Sequence, residues 1–336
     1  MEFAVLSAYP EGASAGPMNQ NVGQLNDFRF GGHQSFALRI AWLPKAAMAL
    51  EDGVDPFSDP LRGVVDLGLG KNMVEALRCW IEAYGVAQRD GGRWVLTDEG
   101  EIVFGRHGCD RFLEDPRTLW WLHWRVATGA KARFFAWELM TNRWNEPTFT
   151  AAEVVAAFSR ESARIGRTLA EISLRQHFDV WLRTYLAPKG GRIAEDNLDS
   201  PLAALSFIRH AGDREGPGRK EPVYAFDLGM KRTVTQALFR YCICDWWNGR
   251  PGTEDTAPFS DLLSGPSSPG RVFRMPEREV RDRLISLSAN PGFEFDLVES
   301  LNQTQLRRRH KLADRVALLR SVYDDGSDVN ESYPHE

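Results

Sequence analysis

An amphipathic helix followed directly by a short β-ribbon constrains the fold of this chain most. From Lys71 to Gly85 the sequence reads KNMVEALRCWIEAYG, whose large apolar residues recur at helical spacing before a glycine stop. These apolar residues are Met73, Leu77, Trp80, Ile81 and Tyr84. The next segment, VAQRDGGRWVL, has two short strand-like runs around Gly91 and Gly92, as in a hairpin. Helix, turn and ribbon in this order predict a winged-helix-like module over residues 27–112.

The rest of the chain is predicted to be mainly α with small β-ribbons. Its 336 residues exceed what one hydrophobic core usually organises, so we expect two or three subdomains, each with its own core. The predicted units are a flexible arm at 1–26, the winged-helix-like N-terminal module at 27–112, a helical middle domain at 113–248, a Gly/Pro/Ser-rich linker or loop at 249–270, a small α+β C-terminal module with helices at 271–322, and an acidic tail at 323–336.

Several local patterns predict individual helices. Apolar residues at helical spacing from Phe36 to Ala47 predict a helix that Pro44 kinks or divides. Thr150 and Glu153 have the spacing of a capping box at the start of another helix. The tryptophans of the middle domain recur at spacings near three and four, which suits a core better than a base-stacking platform.

The charge of the chain limits how it could bind nucleic acid. Its 46 acidic and 41 basic residues give a net charge of −5, and five acids without any Lys or Arg lie from Ser321 to Glu336. The remaining chain is therefore neutral, and any DNA site must be a local basic patch. Because no stretch approaches the roughly 18 apolar residues of a membrane span, and no signal-peptide pattern opens the sequence, we expect a cytoplasmic protein without a membrane partner.

The four cysteines do not have the spacing of a zinc site. No CxxC pair occurs among Cys79, Cys109, Cys242 and Cys244, so we interpret them as reduced thiols. Large apolar residues surround Cys242 and Cys244, which favours packing in a buried element over metal ligation.

The turn before the amphipathic helix is a candidate anion site. In the sequence from Gly68 to Asn72, Gly70 and Lys71 would bring free amides, the helix dipole and an ammonium group to a DNA phosphate. The spacing does not match a nucleotide-binding P-loop. The alternative is a Gly-rich helix start with Lys71 in solvent. Arg78, on the same helix, is a further DNA-binding candidate.

A second polar cluster lies near the start of the module. His33, Arg39 and Lys45 are its basic members, and Gly31 and Gly32 would let a ligand backbone approach closely. His33 is a candidate for proton transfer and Arg39 for phosphate binding, although a cap or core role is the alternative for His33. Arg93, in the ribbon, is another candidate DNA contact.

Three loop acids are the candidate metal ligands. Glu195, Asp196 and Asp199 precede Ser200, and carboxylates presented together suit a hard divalent cation such as Mg²⁺ or Mn²⁺. Loop acids also form turns and helix caps, which is the alternative interpretation.

The densest basic run lies near the C-terminal end. Arg307, Arg308 and Arg309 precede His310 and Lys311, and we expect them on a helix, around much of its circumference. A phosphate-backbone contact and a solvated face both fit this pattern.

Three blocks of the sequence together resemble one protein family. They read FGGHQSFALRIAWLPKA, LGLGKNMVEALRCWIEAYGV followed by RWVLTDEG, and EDNLDSPLAAL. This is the SspB-like family of DNA-phosphorothioation proteins, formerly a domain of unknown function, and the resemblance covers about Phe28 to Leu319. The matching positions are Gly32, His33, Phe36, Arg39, Trp42, Lys45, Gly70, Lys71, Asn72, Glu195 and Asp196.

The resemblance implies a DNA-nicking component of a bacterial modification and defence system. In that system a cysteine desulfurase, an ATP-using sulfur-transfer enzyme and an ATPase replace a non-bridging phosphate oxygen with sulfur. Those three proteins and double-stranded DNA are the implied partners. Association of this chain with copies of itself is a further alternative. We expect metal-assisted phosphodiester hydrolysis in which His33 moves a proton and Arg39 or Lys71 holds phosphate.

Two other functions fit the same sequence. A non-enzymatic DNA-binding scaffold would explain why no familiar nuclease motif appears. A winged-helix transcriptional regulator is the second alternative, although the long middle domain argues against it.

Overall fold

Helices form most of this protein, and small antiparallel sheets lie between them. The computed structural model describes residues 28–129, 133–187, 200–216, 219–250, 252, 254–300 and 303–324. The α-helices are α1 (Trp42–Glu51), α2 (Pro60–Leu67), α3 (Lys71–Ala83), α4 (Asp98–Phe104), α5 (Pro116–Thr128), α6 (Phe135–Trp137), α7 (Ala151–Arg164), α8 (Glu171–Tyr185), α9 (Gln236–Asn248), α10 (Phe259–Ser264), α11 (Pro269–Phe273), α12 (Glu277–Ser288) and α13 (Arg315–Asp324). A π-helix spans Glu138–Arg143 and a 3₁₀-helix spans Pro201–Leu205.

Strands of the described residues pair in three separate antiparallel sheets. They are β1 (Ala87–Asp90), β2 (Arg93–Leu96), β3 (Thr148–Thr150), β4 (Ile208–Gly216), β5 (Arg219–Phe226), β6 (Thr256–Pro258), β7 (Phe295–Glu299) and β8 (Thr304–Arg308). The sheet orders are β1-β2, β3-β5-β4 and β6-β8-β7. None of the helices that the structure describes has the length and apolar character needed to cross a bilayer.

The N-terminal elements contain the helix and ribbon predicted from the sequence. α3 runs from Lys71 to Ala83 with its apolar stripe buried, and Gly85 follows at a positive φ of 68°. β1 and β2 form a hairpin whose turn residues, Gly91 and Gly92, both have positive φ, as a tight two-residue turn requires.

The helix predicted from Phe36 begins later than expected. Residues 36–41 are not helical, and α1 starts at Trp42. Pro44 therefore lies in the first turn, where a missing N–H removes no hydrogen bond of the helix, and it neither kinks nor divides α1. The predicted capping box is confirmed, since Thr150 and Glu153 cap α7 reciprocally.

Two further predictions about secondary structure need correction. The middle segment, 113–248, is not wholly helical, because β3, β4 and β5 form a sheet within it. Residues 249–270, predicted to be a linker or loop, contain β6 and α10, and β6 pairs with β8. This segment is consequently part of the C-terminal sheet. The predicted arm at 1–26 lies outside the described residues, as does the acidic tail beyond Asp324.

One hydrophobic core joins the described elements. Buried apolar side chains from Phe28 to Val322 form a single continuous cluster, so the separate cores expected for subdomains are not seen in these ranges. Its largest fully buried members include Trp120, Trp121, Trp124 and Trp137. Their structural role is the one predicted. Cys242 and Cys244 pack in α9, and burial raises the pKa of both thiols.

Candidate nucleic-acid interface

The first turn of α3 faces solvent after a three-residue turn from α2. Gly68 ends α2 with a positive φ of 64°, and Gly70 precedes Lys71 at the start of α3. No side chain caps this helix end, so the first amide groups of α3 keep the partial positive charge of a helix N-terminus. Lys71 and Asn72 are both exposed here. This end of α3 offers an anion both backbone donors and an ammonium group.

Two cations lie close to this end of α3 and a third lies about two turns further along the helix; we call these residues, Lys45, Lys71 and Arg78, the α3 basic surface. All three side chains are exposed. Lys45 Nζ donates to Leu67 O at 3.2 Å, which places α1 beside the last turn of α2. Within the described ranges, none of the three pairs with a carboxylate. Their charge is consequently available to an external anion such as a DNA phosphate.

The acidic positions of α3 are covered by the chain itself. Glu75 accepts a hydrogen bond from Gln34 Nε2 at 2.9 Å, and Glu82 forms an ion pair with Arg29 at 2.7 Å. Segment 29–34 therefore lies along the face of α3 that carries Glu75 and Glu82, beyond the first turn of the helix. A DNA duplex could meet the first turns of α3 and Arg78, but deep insertion of the whole helix into the major groove would displace this segment.

Arg183 is a basic residue beside this surface that the sequence did not predict. It lies near the end of α8, and its Nη2 donates to Ser35 O at 2.7 Å. On the same helix, Gln176 Nε2 donates to Gln34 O at 3.4 Å. Because these contacts join residues more than 140 positions apart, no local sequence signal could have placed Arg183 here.

The β1-β2 hairpin adds two exposed arginines. Arg89 donates to Gly92 O at 3.3 Å, and Arg93 donates to Gly53 O at 3.1 Å. In the described part of the chain these two side chains make no ion pair. Arg93 lies on an exposed hairpin and stays a predicted DNA contact. Arg89, on the paired strand, is a further candidate of the same kind.

His33 lies in the core. Its side chain is 1% exposed, and its ring stacks on that of His177 with centroids 5.0 Å apart. Ala136 N donates to His177 Nε2 at 3.0 Å, His177 Nδ1 lies 2.8 Å from His33 Nε2, and His33 Nδ1 lies 2.8 Å from Gln34 O. One assignment satisfies all three bonds: each ring is neutral and carries its proton on Nδ1.

Burial opposes protonation of both rings. It lowers the pKa of His33 to about 4 and that of His177 well below its usual range, with the Gln34 carbonyl opposing the shift at His33. The contacts of His33 are those of a core residue joining segment 29–36 to α6 and α8. Its ring has no solvent access in this structure from which to move a proton to or from DNA.

Of the two glycines beside His33, only Gly32 is closely packed. Gly32 has a φ of +97°, and a Cβ there would lie 2.9 Å from Cys79 Sγ, whereas a Cβ at Gly31 would meet nothing within 4 Å. The close approach expected at Gly32 is thus to the protein's own α3. Arg39 is half-buried, and its guanidinium lies 5.8 Å from the ring centroids of both Phe36 and Trp42.

The comparisons with known proteins agree with the resemblance seen in the sequence. A family model described as a protein of unknown function, DUF4007, matches residues 30–323. The chain belongs to the DUF4007 family. Among curated proteins none matches the sequence significantly.

Two solved structures share the fold of this DUF4007 protein over nearly its whole length. An SspB crystal structure is 25% identical with a TM-score of 0.76, covering 93% of each chain. A magnesium ion-bound SspB crystal structure is 24% identical with a TM-score of 0.75, covering 93% of this chain and 92% of that one.

The candidate metal ligands of this DUF4007 chain, Glu195, Asp196 and Asp199, lie outside the described residues. Within the ranges that are described, no group of three or more His, Cys, Asp or Glu side chains could hold a metal ion.

The C-terminal arginine run does not lie on a helix. Arg307 and Arg308 belong to strand β8 and Arg309 follows it, because this segment pairs with β6 and β7. Arg307 and Arg309 pair with Asp296 at 3.4 and 2.6 Å, and Arg308 pairs with Asp255. Two carboxylates, one of them shared, thus offset part of the charge of the three arginines, so the run is a weaker candidate for phosphate binding than the α3 basic surface.

Proposed function

We propose that this DUF4007 protein is a DNA-binding, strand-nicking component of a bacterial DNA phosphorothioate modification and defence system. The observation that carries DNA binding is the α3 basic surface, where three exposed cations with no carboxylate partner in the described ranges lie on α1 and α3, beside an uncapped helix N-terminus and further along the helix. The similarity to SspB over 93% of the chain supports the system.

The N-terminal elements would act as a winged-helix module that contacts the DNA backbone. α1 to α3 followed by the β1-β2 hairpin have the element order of that motif. Lys71 and the first amides of α3 would bind one phosphate, while Arg89 and Arg93 on the hairpin would bind another. Because segment 29–34 covers the acidic part of α3, contacts to phosphates would outnumber contacts to bases, and sequence preference would be weak.

Strand nicking is the finer part of the proposal. Lys71 or Arg39 would hold the phosphate that is attacked, and their positive charge would stabilise charge that develops on its oxygens. The magnesium ion in an SspB crystal structure supports a divalent cation as cofactor, with Glu195, Asp196 and Asp199 as its proposed ligands. His33 is left out of the proposed chemistry because its ring is buried and both nitrogens are hydrogen-bonded.

The proposed partners are the other proteins of such a system. A nick made by this protein would open the backbone for a cysteine desulfurase, an ATP-using sulfur-transfer enzyme and an ATPase. A non-enzymatic scaffold is the second candidate, and the specific observation in its favour is that the ring of His33, the residue expected to move a proton, is buried in the core.

Binding of a labelled duplex, measured by fluorescence anisotropy across a salt series, tests the DNA contact. We expect Lys71→Ala and Arg78→Ala each to weaken binding and to reduce the slope of log affinity against log salt by about 1, since each removes one phosphate contact. Arg307→Ala is the matched control, because it removes an exposed arginine that pairs with Asp296. Equal binding by all three variants would refute the assignment, and a single preferred operator would indicate a regulator.

Conversion of supercoiled plasmid to open circles with Mg²⁺ or Mn²⁺ tests nicking. We expect chelator-sensitive nicking that Lys71→Ala and Glu195→Ala abolish, and that His33→Asn retains in the folded fraction. If the parent protein binds plasmid without nicking it, the scaffold is the correct function.

A further inference from the structure

Two arginines beyond the N-terminal elements are held entirely by neutral oxygen atoms. Arg271 donates to Asn142 O at 3.2 Å and to Asn145 Oδ1 at 2.7 Å. Arg274 donates to Met140 O at 2.7 Å, and both arginines reach Trp144 O. These oxygens lie at the C-terminal end of the π-helix, whose carbonyl groups orient both guanidinium planes.

Neither arginine pairs with a carboxylate in the described residues. Burial, and then the charge of Arg271, lower the pKa of Arg274. Arg274 Nε is buried without a hydrogen-bond partner, and the Nη1 groups of both side chains make no hydrogen bond to the described part of the chain. Two like charges are therefore held close together, and their Nη1 groups are the donors that remain for an anion, because Arg274 Nε is too buried for a ligand to reach.

A cavity of about 380 Å³ lies against this arginine pair. Arg271 and Arg274 line it together with the apolar residues Leu228, Leu263, Met275 and Pro276. The one carboxylate in its lining, Glu277, pairs with Arg281 at 3.1 Å. The cavity has the size of a small-ligand site, and its composition suits a ligand with one anionic and one apolar end.

The backbone at this site is also unusual. Arg274 has a φ of +55°, a left-handed conformation that costs a non-glycine residue free energy. Its guanidinium lies 4.2 Å from the ring centroid of Phe226, which packs against one of its faces. The same left-handed conformation ends α11 as its C-cap, and it fixes the backbone from which the Arg274 side chain extends.

We propose that this cavity binds the phosphate group of a nucleotide, with Arg271 and Arg274 as its ligands and the apolar wall against the sugar or base. Bidentate guanidinium groups match the geometry of phosphate oxygens. The site lies on α10, α11 and the loops that follow β5 and α11, on other elements than the α3 basic surface, and does not depend on it.

Calorimetric titration of the full chain with inorganic phosphate, deoxyadenosine monophosphate and a 12-nucleotide single strand tests the site. Arg271→Gln removes a ligand, and Leu228→Glu adds a carboxylate at the mouth without changing the bonds to the π-helix; Leu228 is 50% exposed. We expect each to weaken binding about 10-fold or more. The matched controls are Arg278→Gln, on a side chain that is 92% exposed, and Met230→Glu, on a residue that is 60% exposed.

The three probes distinguish the source of the phosphate. Mononucleotide binding that both site variants weaken supports a free nucleotide, whereas an effect on the oligonucleotide alone supports a strand of nucleic acid. The proposal is overturned if the parent binds none of the probes, or if both site variants bind them as tightly as the controls. Loss of binding in Lys71→Ala but not in Leu228→Glu would assign the contact to the α3 basic surface instead.

Discussion

His33, His123 and His177 are buried among aromatic rings, and each ring keeps one nitrogen as an acceptor. For His123, Nδ1 lies 2.8 Å from Tyr185 Oη and Nε2 lies 2.9 Å from Val272 O. The Tyr185 hydroxyl therefore donates to the ring, whose own proton bonds the carbonyl. Burial lowers the pKa of His123 to about 4, as it does for His33.

These histidines make stability depend on pH. The unfolded chain binds their protons below about pH 6.5, but the folded protein binds those of His33 and His123 only near pH 4, so stability is lost as pH falls through this window. Each of these two shifts corresponds to about 3 kcal/mol at pH 4. We expect urea unfolding between pH 7.5 and 4.5 to show this loss. The slope of the free energy of unfolding against pH should be shallower in His123→Phe.

The control for that measurement is His107→Gln, since His107 is exposed. Its slope should match that of the parent protein. An unchanged slope in His123→Phe would contradict the neutral assignment of the buried ring.

Gly32 gives a second prediction for a single residue. Alanine there would have to adopt a φ of +97° and place its Cβ 2.9 Å from Cys79 Sγ, so we expect a loss of about 1 to 3 kcal/mol in the free energy of unfolding. Gly31→Ala, with open space around the new methyl group, should change it by less than about 0.5 kcal/mol. Equal losses in the two variants, measured by urea unfolding, would show that the contact with α3 is unimportant.

At the N-terminus of the helix α3, one substitution should raise the stability of the protein and weaken its binding to DNA. Gly70 has extended backbone angles, φ −64° and ψ 153°, and a Cβ there meets nothing within 4 Å. Gly70→Asp should therefore cap α3 and raise stability by about 0.5 kcal/mol. Its carboxylate would occupy the free amides and repel phosphate, so we expect duplex affinity to fall about 10-fold in the anisotropy assay.

Gly70→Ser is the control for this prediction. It offers a similar cap without a charge, and its duplex affinity should stay within about 3-fold of the parent, a difference below 1 kcal/mol. If Gly70→Asp binds DNA as tightly as Gly70→Ser, the end of α3 does not contact phosphate.

Local signals made some of these elements predictable. α3 and the hairpin were identified because an apolar stripe and two consecutive glycines act within a few residues. β4 and β5 are not predicted because the sequence from 213 to 221 has the composition of a loop, and its residues at 213–215 and 220 are charged and exposed. Arg307 to Arg309 were placed on a helix because the acids that hold them, Asp255 and Asp296, are distant in sequence and their pairing could not be seen.

For the whole molecule, one buried polar network joins elements from both ends of the chain. Glu99 of α4 accepts hydrogen bonds from Tyr241 at 2.5 Å and Arg315 at 2.9 Å. Arg315 also pairs with Asp245 at 3.1 Å, and Arg125 lies 3.5 Å from Glu99. Burial raises the pKa of Asp245 despite a hydrogen bond from Trp124. The network links α4 to α5, α9 and α13 across the shared core.

Removing one partner should destabilise the whole protein. We expect Glu99→Ala to lower the free energy of unfolding by about 3 to 5 kcal/mol, because it removes the carboxylate that the buried Arg125 pairs with and one of the two carboxylates that Arg315 contacts. Glu101→Ala, on the exposed side of the same helix, should have little effect. Because one core joins these elements, tryptophan fluorescence and far-UV circular dichroism should report the same transition. Separate transitions would show that the elements unfold as independent domains.

The bond between Glu99 and Arg315 also affects how the protein is made. The two residues are 216 positions apart, and α13 packs directly on α4. At about 5 to 20 residues per second, a ribosome needs roughly 10 to 40 s to add the second after the first. Throughout that interval the nascent N-terminal helices lack one wall of their core and the guanidinium that neutralises Glu99. These helices are consequently synthesised long before their packing is completed.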